Sequence, residues 1–188
     1  MKTLKKDFKY KKIENFLTQD ERNLLVNYTL LKHKNNFKDF EIHTFSKMKD
    51  TSFYADPAME SLMLIKKARM EKETNLKLEP TYSYWRLYTN NADLRPHKDR
   101  PSCEVSVTVM LGSSGEEWPI YMDGKRVDLK AGEAAVYLGC ELEHKRDNFQ
   151  GDWHSQVFLH YVDVNGPYID YKKDKRKDWG EQKGGIVL

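Results

Sequence analysis

Two kinds of hydrophobic periodicity divide the chain near residue 79. Upstream, apolar positions recur at three- and four-residue spacing, the signature of a helix with one buried face. Leu24, Leu25, Tyr28 and Leu31 mark a first helix, and Met59, Leu62, Met63, Ile65 and Ala68 a second. The first is announced by Thr18-Gln-Asp-Glu21, a capping box in which Thr18 accepts from the third helical amide and Glu21 reaches back. The second starts after Asp56, with Pro57 at a position where the missing N–H costs nothing. Its charged face runs from Lys66 to Lys72, and its methionines read as core filler.

From Glu79 onward the pattern shortens to alternating or β-branched runs separated by turns. Strands are expected near Thr81–Thr89, Glu104–Leu111, Pro119–Met122, Lys125–Leu129, Glu133–Leu138 and Ser155–Val162. Asp123-Gly124 is a tight-hairpin signal because both residues tolerate positive φ, and Lys130-Ala-Gly-Glu133 is a second turn. Helices followed by many antiparallel strands predict an α+β domain: a β-sandwich or cupin-like jelly roll backed by N-terminal helices.

Composition narrows this picture. The 188 residues match one domain, and no repeat or linker divides them. We expect a single unit over 1–188, with a helical front at about 13–78, a jelly-roll core at about 79–165 and a charged tail at 170–188. The 32 basic and 29 acidic residues leave a net charge of only +3, which excludes a surface built throughout to grip phosphates. Six lysines crowd the first twelve residues and Asp170–Asp178 reads DYKKDKRKD, so both ends are expected to be solvated. A local nucleic-acid patch using Phe8 and Tyr10 is the sharper, less favoured reading of those ends. Cys103 and Cys140 are too few for a stapled scaffold and are expected to be reduced. Neither a membrane-length apolar run nor an apolar signal region is visible, which predicts a soluble, cytoplasmic protein.

The candidate chemistry gathers on histidines. Of the six, His33 and His43 have no convincing carboxylate neighbour in sequence. His97 does, in Arg95-Pro-His-Lys-Asp99-Arg-Pro, where a two-residue offset on an extended segment puts imidazole and carboxylate on one face. Alone, His-x-Asp is a weak signal. A second histidine would complete a set of two imidazoles and a carboxylate that leaves one face of an octahedral ferrous ion open. His144 follows the strand expected at Glu133–Leu138, and in a jelly roll that position can return to the His97 turn. His154 and His160 are the alternatives for the third ligand.

These elements resemble the iron(II)/2-oxoglutarate-dependent oxygenases, particularly the prolyl-4-hydroxylase-like branch. Ile13-Glu-Asn-Phe-Leu-Thr-Gln-Asp-Glu21 is similar to its helical lead-in, and Tyr84-Trp-Arg-Leu-Tyr88 to the strand before the metal turn. His97-x-Asp99, the Lys130–Glu133 turn and His144 follow in the family's order. The resemblance spans roughly residues 13–163. It implies a double-stranded β-helix, Fe(II) held by His97, Asp99 and His144, and 2-oxoglutarate and O2 as cosubstrates. Hydroxylation would be coupled to decarboxylation of 2-oxoglutarate, and the branch nominates a peptidyl proline. Retention of Asp99 favours hydroxylation over halogenation. The chain departs from the family where an Arg or Lys usually follows the distal histidine by about ten residues. Gly151–Gln156 contains neither. His154 could serve if protonated, Gln156 as a neutral donor, or Arg86 from the earlier strand. Arg146, on the same face as His144, is the assignment made here, with Tyr84 and Tyr88 as hydroxyl donors. A non-catalytic cupin-like binding module and a nucleic-acid-associated protein with basic termini are the competing classes. The substrate itself, protein or small molecule, is not specified by these residues.

Overall fold

The computed structural model describes residues 9–35 and 50–181. His43, Phe8 and the first lysines lie outside the described residues. Alternation along the strand Leu78–Thr89 (β3) organises the architecture. Trp85 and Leu87 point to one side, into a core completed by Met59, Leu62 and Met63 of the second helix. Tyr82 and Tyr88 point to the other, where their rings meet His160, His154 and Trp118. One face of the sheet is therefore packed by helices and the other faces a chamber.

The strands, in chain order, are β1 (Tyr10–Ile13), β2 (Thr51–Tyr54), β3, β4 (Leu94–His97), β5 (Val105–Ser113), β6 (Ile120–Met122), β7 (Lys125–Val127), β8 (Ala134–Tyr137), β9 (His144–Arg146) and β10 (Trp153–Asp163). They form two antiparallel sheets, ordered β1-β8-β5-β10-β3-β2 and β4-β9-β6-β7. From β3 onward the chain passes back and forth between the two, which is the double-stranded β-helix. All six expected strands are present within a few residues of their predicted ends. The Asp123-Gly124 turn joins β6 to β7, with φ of 47° and 73°. The strands the pattern missed are β1, β2, β4 and β9, short runs that, unlike the equally short β6, β7 and β8, have no recognised turn beside them to mark them.

Both helices start as their sequences dictate. In α1 (Gln19–Asn35), the Glu21 amide donates to Thr18 Oγ1 at 3.2 Å and the Thr18 amide to Glu21 Oε2 at 2.8 Å. In α2 (Pro57–Thr74), Asp56 caps the Ala58 amide at 3.0 Å. Their buried faces differ in part from expectation. Leu24, Leu31 and Ile65 are exposed, and Leu25, Thr29, Leu62, Met63 and Met70 supply the inward stripe. The sheet sets which helical face is covered, and periodicity alone cannot choose between overlapping stripes.

The expectation of solvated ends holds for the exposed lysines of both, but the described backbone is ordered and two charges of the C-terminal run turn inward. Residues 10–13 pair with β8, and Lys9, Lys11 and Lys12 each meet a carboxylate, on Asp123, Glu73 and Glu133. At the other end, Ile169–Lys175 forms a short 3-10 segment that closes over the start of β3. Asp174 and Arg176 turn inward from this lysine-rich run and are buried. Asp174 takes both guanidinium nitrogens of Arg100 at 2.9 and 3.0 Å, and Arg176 pairs with the buried Glu60. Opposite buried charges explain why a segment that reads as solvated folds back.

Candidate metal centre

Antiparallel pairing of β4 with β9 sets His97 directly across from His144, their ring centroids 4.2 Å apart. Each ring is oriented by its own backbone. His97 Nδ1 lies 2.8 Å from the Arg95 carbonyl, and His144 Nδ1 lies 3.1 Å from the Leu142 carbonyl. A carbonyl only accepts, so both Nδ1 atoms donate and Nε2 is in each ring the atom left to face a metal. Those two atoms converge on Asp99 Oδ1, at 3.7 and 3.6 Å. Asp99 follows β4, and its amide donates to the Gly139 carbonyl at 2.9 Å. Burial lowers the pKa of His144, with Asp99 opposing that shift, which keeps the imidazole a ligand rather than a cation. His97 stands at the rim with a partly exposed side chain, whereas His144 is buried. The three side chains named by the sequence thus meet as a compact His–Asp–His set suited to a divalent metal.

The chamber beside this set contains Arg146, two residues beyond His144 and 3% exposed. Its guanidinium donates to the Trp118 carbonyl and lies 4.7 Å from the Trp118 ring. Among the described residues no carboxylate pairs with it. Burial draws its pKa down to about 10, against the pull of Tyr88 and Tyr137, so it remains charged at neutral pH. An uncompensated buried cation is costly unless an anion meets it. Arg86, the other basic candidate, differs: Asp50 neutralises it in a salt bridge.

The remaining sequence candidates lie around the same chamber. Tyr88 is buried against Trp118 and under Arg86, and Tyr84 is half-buried beside Phe158. Gln156 donates to Thr108 Oγ1 at 2.6 Å, and its Oε1 lies 2.9 Å from His154 Nε2. His154 is not set up as a cation in the unliganded chain. Burial, reinforced by Arg146, pushes its pKa to about 3, so it is neutral. Nor does it join the His97–Asp99–His144 set. His160 sits behind that set, its Nδ1 2.8 Å from Ser106 Oγ. His33 lies elsewhere, on α1, with its Nδ1 2.8 Å from Thr51 Oγ1. Tyr137 and Thr108 were not singled out in sequence, and Trp118 only as part of Glu116-Glu117-Trp118-Pro119, a stretch that could face substrate or solvent. Aromatic and hydroxyl residues on strands are usually core, and only the closed sheets bring these three around one space.

No family model matches the chain, and no curated protein sequence matches it. Solved structures do share its fold. A prolyl-4-hydroxylase from Pseudomonas putida aligns with a TM-score of 0.66 at 17% identity, covering 85% of this chain and 95% of that one. The non-heme alpha-ketoglutarate-dependent epimerase SnoN from nogalamycin biosynthesis aligns at 0.67 and 13%, covering 94% and 87%. EctD from S. alaskensis, bound to 2-oxoglutarate and 5-hydroxyectoine, aligns at 0.65 and 14%, covering 83% and 72%. The fold is the double-stranded β-helix that these oxygenases and related enzymes use.

Proposed function

We propose that the protein is an Fe(II)- and 2-oxoglutarate-dependent oxygenase, working as a single domain, that hydroxylates its substrate. The observation carrying this reading is a His–Asp–His ligand set with a buried guanidinium two residues beyond His144 on β9, with which no carboxylate among the described residues pairs. His97, Asp99 and His144 would hold iron through Nε2, a carboxylate oxygen and Nε2. Arg146 would receive the distal carboxylate of 2-oxoglutarate. On one strand, residues two apart are separated by about 7 Å, comparable to the length of a five-carbon dicarboxylate. When bound, the metal and cosubstrate together supply the oxidative decarboxylation that activates oxygen.

The chain's own residues orient and shield. The Arg146 fork can donate two parallel hydrogen bonds to a carboxylate, and Trp118 holds it from behind. Gln156, fixed by Thr108, lines the same chamber, and neutral His154 leaves the anion's charge to Arg146. Tyr88 and Tyr84 add hydroxyls along β3. Buried rings of Trp118, Phe149 and Tyr88 keep water from the guanidinium.

The first candidate substrate is a peptidyl proline, suggested by the sequence resemblance and by a fold shared with a prolyl-4-hydroxylase at 17% identity. Substrates of other kinds, on a protein or a small molecule, are the alternatives to assay. We assign the protein to the cytoplasm, supported by Cys103 and Cys140, neither of which is in a disulfide. The test is anaerobic addition of Fe(II) and 2-oxoglutarate, watching for the visible charge-transfer absorption of the chelate, followed by air and prolyl peptides with succinate as readout. His97→Ala and Asp99→Ala should lose both signals. Arg146→Met should weaken 2-oxoglutarate binding by roughly 10–100-fold while metal affinity is retained, the loss expected for hydrogen bonds to a charged group. A wild-type protein giving neither absorption nor succinate overturns the reading.

A further inference from the structure

Asp99 presents its two oxygens to two different groups of side chains. Oδ1 faces His97 and His144, and Oδ2 accepts from Ser106 Oγ at 3.2 Å on the opposite side. Ser106 also touches His160 and the backbone of Cys103 there. Its hydroxyl lies 2.8 Å from His160 Nδ1 and 3.1 Å from the carbonyl of Cys103. Ligand atoms of Asp99, Cys103 and His160 all lie within 4.8 Å of one another. We propose that these three residues form a second divalent-metal position, softer than the first, which shares the Asp99 carboxylate with it.

The donor types favour zinc or cobalt. A thiolate, an imidazole and a carboxylate bind such ions at about 2.0–2.3 Å, which sets neighbouring ligand atoms roughly 3.3–3.8 Å apart in a tetrahedron. Reaching that spacing from the observed cluster takes small side-chain rotations, with Ser106 releasing His160. The Tyr82 hydroxyl, 3.1 Å from Cys103 Sγ, is an oxygen at hand for the fourth position. Ligation releases the Cys103 thiol proton to solvent, and thiolate plus carboxylate then balance the divalent charge. The nearby Arg100 cation does not oppose this, because Asp174 neutralises it in a bidentate pair. Cys103 and His160 are both buried, so the second position is closed where the first has an exposed rim at His97. A soft ion held there would draw on the same carboxylate that the first position needs, which makes it a point of inhibition by zinc-like metals.

Titration of the full metal-free chain with Co(II) under anaerobic conditions tests this. The expected result is a near-ultraviolet thiolate-to-cobalt absorption, retained in His97→Ala and Cys140→Ser and lost in Cys103→Ala. Cys103→Ser, close to the native side chain in size, gives the same test if the alanine variant folds poorly, with circular dichroism reporting the fold. No such absorption in the wild type at saturating cobalt, or one surviving both Cys103 variants, overturns the proposal. The readout needs neither 2-oxoglutarate nor turnover, so failure of the oxygenase reading leaves it standing, and the reverse holds.

Discussion

Gly139 packs directly beneath Asp99. A Cβ at this position would lie 2.3 Å from the Cys103 carbonyl oxygen and 2.5 Å from Asp99 Oδ2, closer than any side chain can sit. Since the Gly139 carbonyl also holds the Asp99 amide, relief of the clash must move the carboxylate. Gly139→Ala should therefore weaken metal binding by about 10-fold or more, as loss of outer support does at metal sites. Cobalt titration checks it, and wild-type affinity would contradict the close packing. Burial sets a second residue-scale outcome. The pKa values of His154 and His160 are held down, to about 3 and about 4, chiefly by desolvation. Unfolding returns both to near 6.5, so below that pH the unfolded chain binds more protons than the folded one. Their contribution is complete above pH 6.5 and is lost as the pH falls toward 4 and then 3. The loss is at most about 1.4 kcal/mol per pH unit for each histidine. Urea unfolding in chelator at pH 7 and pH 5 should show the fall; equal midpoints would contradict it.

At the scale of elements, two very short strands carry the ligands. β4 and β9 hold four and three residues, yet their register places both metal histidines face to face. Neither strand has a hydrophobic period, so neither was legible as a strand, although His97, Asp99 and His144 were each legible as residues. The C-terminal segment is the converse case. Its lysine-rich composition reads as solvated, while Arg176 and Glu60 form a pair whose side chains are 1% and 2% exposed. Arg176→Met strands the Glu60 carboxylate in the interior and should cost about 3–5 kcal/mol, the usual penalty for breaking a buried pair from one side. Urea unfolding measures it, with Arg126→Ala at an exposed pair as a control that should leave stability unchanged. A wild-type midpoint for Arg176→Met would mean that the segment does not brace the fold.

For the whole molecule, the ligands tie together parts of both sheets. His97 and His144 belong to the smaller sheet, and Asp99 is fastened to Gly139 and to Ser106 of β5 in the larger. Metal bound there stabilises only the folded chain. At a hundredfold excess over Kd this amounts to about 2.7 kcal/mol. For a protein of this length that is roughly 5–10 °C in Tm. Cobalt should raise the melting temperature and a chelator should reverse the rise, whereas Asp99→Asn should respond weakly. A melting curve indifferent to metal in the wild type would argue against the centre.

Local pattern was enough to determine the helix starts, the Asp123-Gly124 hairpin, the six expected strands and the fold class they compose. Each rests on contacts within a few residues, or on a period repeated often enough to be read. The candidate ligands also announced themselves, through residue type and chain order. Tertiary structure alone decided the rest, because it depends on which distant groups share a space. It paired Arg86 with Asp50 and left Arg146 without a carboxylate partner among the described residues, a contrast that sequence spacing could not supply for these two candidates. It made His154 neutral by burying it, and drew Asp174 and Arg176 inward from a tail that reads as solvent-exposed. It also turned the two oxygens of Asp99 toward different partners. Charge compensation and desolvation are properties of the folded neighbourhood, and no spacing along the chain encodes them.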